Sequence, residues 1–131
     1  MELTLTTKKR SEIVDVTAAV KKACREWGGT GLVQLFCPHT TAGVAVNENF
    51  DPTVKEDLLA ALAGLVPHRG GYAHPEGNAD AHIKAVLTGN QVSVPVQKGK
   101  LRIGRWQGIY FLEFDGPRTR TLWLTFVPGQ V

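Results

Sequence analysis

The chain has 131 residues, 43% hydrophobic and 21% charged, with a formal net charge of +3. That is enough chain for one domain with its own core and too apolar for a disordered segment. The lysines and arginines are scattered, apart from Lys8-Lys9-Arg10 and Lys21-Lys22, so no basic stripe points to nucleic acid as a partner. An anionic small molecule suits the same charge.

From the start, Glu2 to Thr7 alternates apolar residues with threonine, the pattern of a half-buried strand. Glu12 to Val16 reads as a second strand, paired with the first through the basic turn between them. Thr17 is expected to cap a helix reaching Trp27, with Val20, Cys24 and Trp27 on one face and Gly28-Gly29 as its stop. Gly31 to Cys37 is mostly apolar and suits a strand covered on both faces. Pro38 to Gly43 interrupts it, a strand resumes over Val44 to Val46, and Asn47-Glu48-Asn49 ends that one.

Asp51-Pro52 predicts a helix start, Asp as cap and Pro in the first turn. That helix runs to about Leu62 with Val54, Leu58, Leu59 and Leu62 as its apolar stripe. His74 to Asn78 reads as a structured loop, and Asn78 or Asp80 as the cap of a third helix that stops at an αL-type terminator near Gly89-Asn90. Gln91 to Val96 is an alternating strand whose Pro95 suggests an edge position. Lys98-Gly99-Lys100 is a hairpin turn. Leu101 to Ile103, Gly108 to Phe114 and Arg120 to Phe126 are the closing strands, with a turn at Asp115-Gly116-Pro117-Arg118.

The resulting order, β-β-α-β-β-α-α-β-β-β-β, lacks a regular βαβ rhythm. It predicts a single α+β domain over residues 1–131, with mixed or largely antiparallel sheets flanked by three helices. Two cysteines, Cys24 and Cys37, without C-x-x-C spacing suit free thiols in a reducing compartment. No signal peptide, membrane-length apolar run or lipidation motif is visible, so a cytoplasmic protein with no membrane partner is expected.

Four polar clusters are candidates for chemistry. His39-Thr40-Thr41 follows an apolar strand, where imidazole and hydroxyl groups can meet a phosphate or a metal. Glu48, within Asn47-Glu48-Asn49, is the candidate general base. His74, Asn78 and His82 belong to the loop and helix start that offer donors, acceptors and a positive dipole end. Their spacing is not that of an H-x-x-x-H metal motif. Lys84 and His68 are expected to be solvated. Finally, Glu113 lies among Phe111, Leu112 and Phe114, where a carboxylate needs a partner, and Arg118 or a histidine is the expected one.

Five motifs then occur in order: Pro38-His-Thr-Thr-Ala42, Asn47-Glu-Asn49 with Asp51-Pro52, Glu76-Gly-Asn-Ala-Asp-Ala-His-Ile-Lys84, Gly104-Arg-Trp-Gln-Gly-Ile-Tyr110, and Glu113-Phe-Asp-Gly-Pro-Arg118. Together they resemble the YjbQ family, whose members often carry the label secondary thiamine-phosphate synthase. Where that family commonly has Arg or Lys-His before Glu-Gly-Asn, this chain has Ala73-His74-Pro75 and keeps the histidine. The resemblance implies an α+β homotrimer with its polar motifs in a cleft near subunit contacts. It also implies a weak synthase activity that joins a pyrimidine diphosphate to a thiazole phosphate and expels pyrophosphate.

Such a reaction needs anion binding and leaving-group stabilisation, which a divalent metal, zinc or magnesium, can supply. On this reading His39, His74 and His82 form a metal- or anion-binding centre. His39, Glu48 and His82 carry the catalysis, and Thr40, Thr41, Asn78 and Arg118 contact phosphate oxygens. The alternatives are a metal-dependent hydrolase and a non-catalytic ligand-binding trimeric module.

Overall fold

A computed structural model describes all residues from Met1 to Val131. Its elements follow the predicted order: β1 Glu2–Thr6, β2 Glu12–Asp15, α1 Thr17–Trp27, β3 Gly31–Phe36, β4 Ala42–Glu48, α2 Pro52–Leu65, α3 Ala79–Thr88, β5 Gln91–Gln97, β6 Lys100–Leu101, β7 Gln107–Glu113 and β8 Thr119–Pro128. No helix is long and apolar enough to cross a membrane.

The strands form two sheets, one ordered β1-β8-β3-β5-β6 and the other β2-β7-β4. Every pairing in both is antiparallel. The expected β1–β2 hairpin does not form. β1 lies beside β8, with Leu3 opposite Leu122, whereas β2 lies beside β7, with Ile13 opposite Leu112. The basic turn therefore carries the chain from one sheet to the other.

Alternation explains the layers. Val33 and Leu35 of β3, Val94 and Val96 of β5, and Leu122 and Leu124 of β8 face inward to meet Val44 of β4 with Ile109 and Phe111 of β7. Val20, Ala23 and Cys24 of α1 complete this core between the sheets. The opposite face of the small sheet, through Ile13, Tyr110, Leu112 and Phe114, packs on Ala81 and Ala85 of α3 and on Leu58, Leu59 and Leu62 of α2. β3 is covered on one face only, since Leu32 on its outer side is open to solvent.

Helix starts follow local chemistry. The Asp51 carboxylate accepts the Thr53 N–H at 2.9 Å and Pro52 opens α2, as the sequence predicts. Thr17 does not cap α1. It is the first helical residue, and the Asp15 carboxylate accepts its N–H while its own hydroxyl oxygen accepts the Ile109 N–H. Gly89 after α3 has a positive φ of 93° but an extended ψ of 159°, so it redirects the chain into β5 without forming the αL terminator.

Candidate functional site

The β3–β4 connection places His39 and Thr40 beside the C-terminal part of α3. A cavity of about 480 Å³ opens there, walled by His39, Thr40 and Ala42 on one side and by His82, Val86 and Asn90 on the other. His82 also borders a second hollow of about 370 Å³ nearer the start of α3, shared with His74 and Tyr72. The His74 and His82 rings meet edge to face with centroids 5.1 Å apart. The folding thus brings two expected imidazoles, His39 and His82, to one cavity and sets His74 behind the second.

His39 is held from below. Its Nε2 sits within hydrogen-bond distance of both backbone groups of Thr121, the N–H at 2.9 Å and the carbonyl oxygen at 3.1 Å, so either tautomer is held in the same orientation. Burial and the nearby Arg120 charge push the imidazole below its ordinary value, against opposing pulls from Thr121 and Glu113.

Beneath His39 lies a buried polar knot. Glu113 is fully inaccessible, and its partner is Arg120, 5% exposed, rather than Arg118 or a histidine. Arg120 Nε donates to Glu113 Oε1 at 2.8 Å, and its Nη2 donates to the Thr41 hydroxyl at 2.8 Å. The Thr7 hydroxyl donates to the same carboxylate at 2.7 Å. Burial alone would raise the Glu113 carboxyl, but these donors and the Arg120 charge carry it below the usual range. Thr41 is consequently committed to the interior and does not face the cavity.

A second knot fixes α3. The Asp80 carboxylate takes a bidentate pair from Arg10 at 3.0 and 2.9 Å and a third contact from Lys84 at 3.2 Å. Lys84 is buried, not solvated. Burial raises the Asp80 carboxyl less than these two cations lower it. Asp80 is thus spent on side-chain partners and caps nothing. Asn78 occupies the cap position of α3 without a side-chain cap bond. Its Nδ2 donates to Asp115, which also pairs with Arg118 at 3.1 Å, and its Oδ1 is buried without a partner. Asn78 and Arg118 therefore meet on Asp115 and do not line the cavity.

Glu48 is at the other end of β4 from Ala42, about 20 Å away at an ordinary strand rise. Its neighbours there are different: the Tyr110 hydroxyl donates to the Glu48 carbonyl, and Asn49 Nδ2 donates to Asp15 at 3.2 Å. One chain does not bring Glu48 to His39.

The expected three-histidine metal centre is not assembled either. No three His, Cys, Asp or Glu side chains converge within ligand distance. His39 Nε2 is engaged by the Thr121 backbone, which leaves one nitrogen of that ring, and the nearby carboxylates Glu113 and Asp80 are saturated by cations. Zinc needs at least three such donors and magnesium a set of free oxygens, so the residues of a single chain do not fit either ion.

Some of these residues escaped the sequence reading although signals were present. Arg120 shares the alternation of the inward-facing Leu122 and Leu124, and Lys84 falls on the helical face of Ala81 and Ala85. Asn90 carried no signal, because its place on the cavity wall depends on how α3 turns into β5.

Comparison with known proteins adds a frame to this geometry. A family model described as UPF0047 protein YjbQ-like matches residues 1–129. A UPF0047 protein of Archaeoglobus fulgidus is 52% identical over 122 residues, covering 92% of this chain and 94% of that one. The UPF0047 protein YugU of Bacillus subtilis is 46% identical over 124 residues, covering 93% and 94%. The crystal structure of a YjbQ/UPF0047 family protein from Clostridium acetobutylicum superposes with a TM-score of 0.94 at 47% identity, covering 97% of this chain and 99% of that one.

Proposed function

The chain belongs to the UPF0047 YjbQ-like family, and on that footing we propose that it is a small cytoplasmic enzyme acting on a phosphorylated small molecule. The observation that carries this reading is the shared cavity, in which His39 and His82 face each other across a space large enough for such a ligand. His82, the Thr40 hydroxyl and the Asn90 amide offer donors to phosphate oxygens. His39, fixed in orientation by the Thr121 backbone and held below its ordinary pKa, is suited to proton transfer through its other ring nitrogen.

The activity proposed is a secondary thiamine-phosphate synthase reaction. A bond forms between the pyrimidine and thiazole parts, the bond from the pyrimidine part to its diphosphate breaks, and pyrophosphate leaves with the electron pair. The chain's own contribution is to hold the phosphates and exclude water.

We further propose that the protein is a homotrimer whose contacts carry the Glu48 end of one subunit toward the cavity of the next. Supporting this, Phe50 and Val86 stand 72% and 84% exposed at those two ends, and α2 buries none of its residues fully within one chain.

The test is a phosphate titration followed by amide shifts in the NMR spectrum, with turnover of the two phosphorylated precursors measured in parallel. The expected result is that inorganic phosphate shifts the amides around His82 and Asn90, and that His82→Ala weakens this effect at least tenfold at an unchanged melting temperature. Phosphate binding in His82→Ala equal to that of the parent chain would overturn the reading. Binding without turnover would leave a ligand-binding module.

A further inference from the structure

Between α1 and the β5–β6 hairpin lies a cavity of about 320 Å³ whose side chains are almost all cationic: Lys21 and Arg25 from the helix, Lys100 and Leu101 from the hairpin, with Gly99 at its floor. We propose that this notch is a binding site for the diphosphate group of a small molecule. It lies on other elements than the His39–His82 cavity and does not rest on the function proposed for that cavity.

The hairpin is held against the helix by its backbone. Lys98 and Gly99 both have positive φ, 49° and 73°, forming the tight turn. The Gly99 N–H donates to the Gly29 carbonyl at 2.9 Å and the Lys98 N–H to the Thr30 hydroxyl at 2.9 Å. A Cβ on Gly99 would stand 3.1 Å from Gly28 Cα and 3.2 Å from the Cys24 carbonyl oxygen, so with its positive φ a side chain there would strain the turn and push it from the helix. This seat sets Lys100 across from Lys21 and Arg25.

The charges themselves point to a ligand. Lys21 and Arg25 are four residues apart on one helix face, where like charges repel. The adjacent face of the same helix is built the other way, with Lys22 paired to Glu26 at 3.7 Å. None of Lys21, Arg25 and Lys100 has a carboxylate within ion-pairing distance. Three unpaired cations around one hollow match the roughly three negative charges of a diphosphate better than the smaller charge of a monophosphate.

The test uses the full chain and inorganic pyrophosphate, with orthophosphate as comparison, titrated at low ionic strength and read by amide shifts and calorimetry. Pyrophosphate is expected to shift the amides of Arg25, Gly99 and Lys100 and to bind there at least tenfold more tightly than orthophosphate. Arg25→Gln with Lys100→Gln should weaken that binding tenfold or more, while Lys22→Gln, just outside the notch, and His82→Ala should change it less than threefold. All four changes lie on exposed or half-exposed side chains, and unaltered melting temperatures confirm intact folds. Equal affinity for the two anions, equal loss in Lys22→Gln, or no shift at these amides would mean diffuse surface charge and would overturn the proposal.

Discussion

Glu113, the last residue of β7, and Arg120, near the start of β8, form a buried ion pair that joins the two sheets. Thr7 at the end of β1 and Thr41 ahead of β4 bond to the same pair. Four separate chain segments thus converge on two opposite charges, directly beneath His39.

Removing one partner leaves the other charged in a dry interior. Glu113→Ala or Arg120→Ala should each cost about 3–5 kcal/mol, measured by urea denaturation. The double replacement Glu113→Leu with Arg120→Met should cost less than either, because no isolated charge remains. If each single change cost under about 1 kcal/mol, the pair would have to be open to water.

Acid should weaken the protein in two steps. The His39, Glu113 and Asp80 groups all lie below their ordinary values of 6.5, 4.5 and 3.8. The unfolded chain therefore binds more protons than the folded one as pH falls. Each contribution is complete above the ordinary value and is lost on acidification below it, His39 first and the carboxylates later. The Cys24 and Cys37 thiols, raised by burial from 9.0, act in the other sense and lose their contribution as pH climbs past that value. Unfolding free energies across pH should show a plateau between about 6.5 and 9, bounded by these ordinary values. His39→Gln should abolish the first acidic step. Stability that rose on going from pH 7 to 5.5 would contradict this assignment.

α3 should detach before the rest of the fold when Asp80 is lost. Asp80→Ala strands Lys84 in the interior and frees Arg10, an expected loss of about 3–5 kcal/mol. Hydrogen exchange should speed up across Ala79–Thr88 more than across β3 and β8. Lys84→Met, which replaces the charge by an apolar chain of similar length, should be milder. Uniform acceleration through both sheets would argue against a local role.

Gly43→Ala should disturb the seat of α3 on β4. A Cβ there would stand 2.6 Å from the Gly89 carbonyl oxygen and 2.8 Å from the Thr88 hydroxyl. The same Gly89 carbonyl accepts the Val44 N–H at 3.2 Å, so it has little room to retreat. The expected cost is about 1–3 kcal/mol, with weakened anion binding next door, where Asn90 lines the cavity. An unchanged melting temperature would show that α3 can shift freely.

The order of elements was legible because each carries its own period and its own stop, as at Asp51-Pro52 and Gly28. The partnering of β2 was not, since a turn as short as Lys8 to Ser11 suits a hairpin equally well; what decides is that Ile13 completes the face covered by α3. The cavity was half legible. His39 and His82 share it, whereas Glu48, which like His39 follows an apolar strand, leaves β4 at its other end. Strand length separates it, and sequence spacing hides that length whenever the two motifs flank one strand. Arg118 and Arg120 show the same limit: type suggested the nearer turn residue, and side-chain alternation in β8 selected the other.

The position of β8 between β1 and β3 has a consequence for synthesis on the ribosome. β3 must wait until residues near Trp123 emerge before one of its two edges is satisfied, and β1 has no other neighbour at all. The large sheet is thus completed late, whatever its helices do earlier. A nascent chain stalled before Thr119 should remain open to proteases and chaperones through β1 and β3.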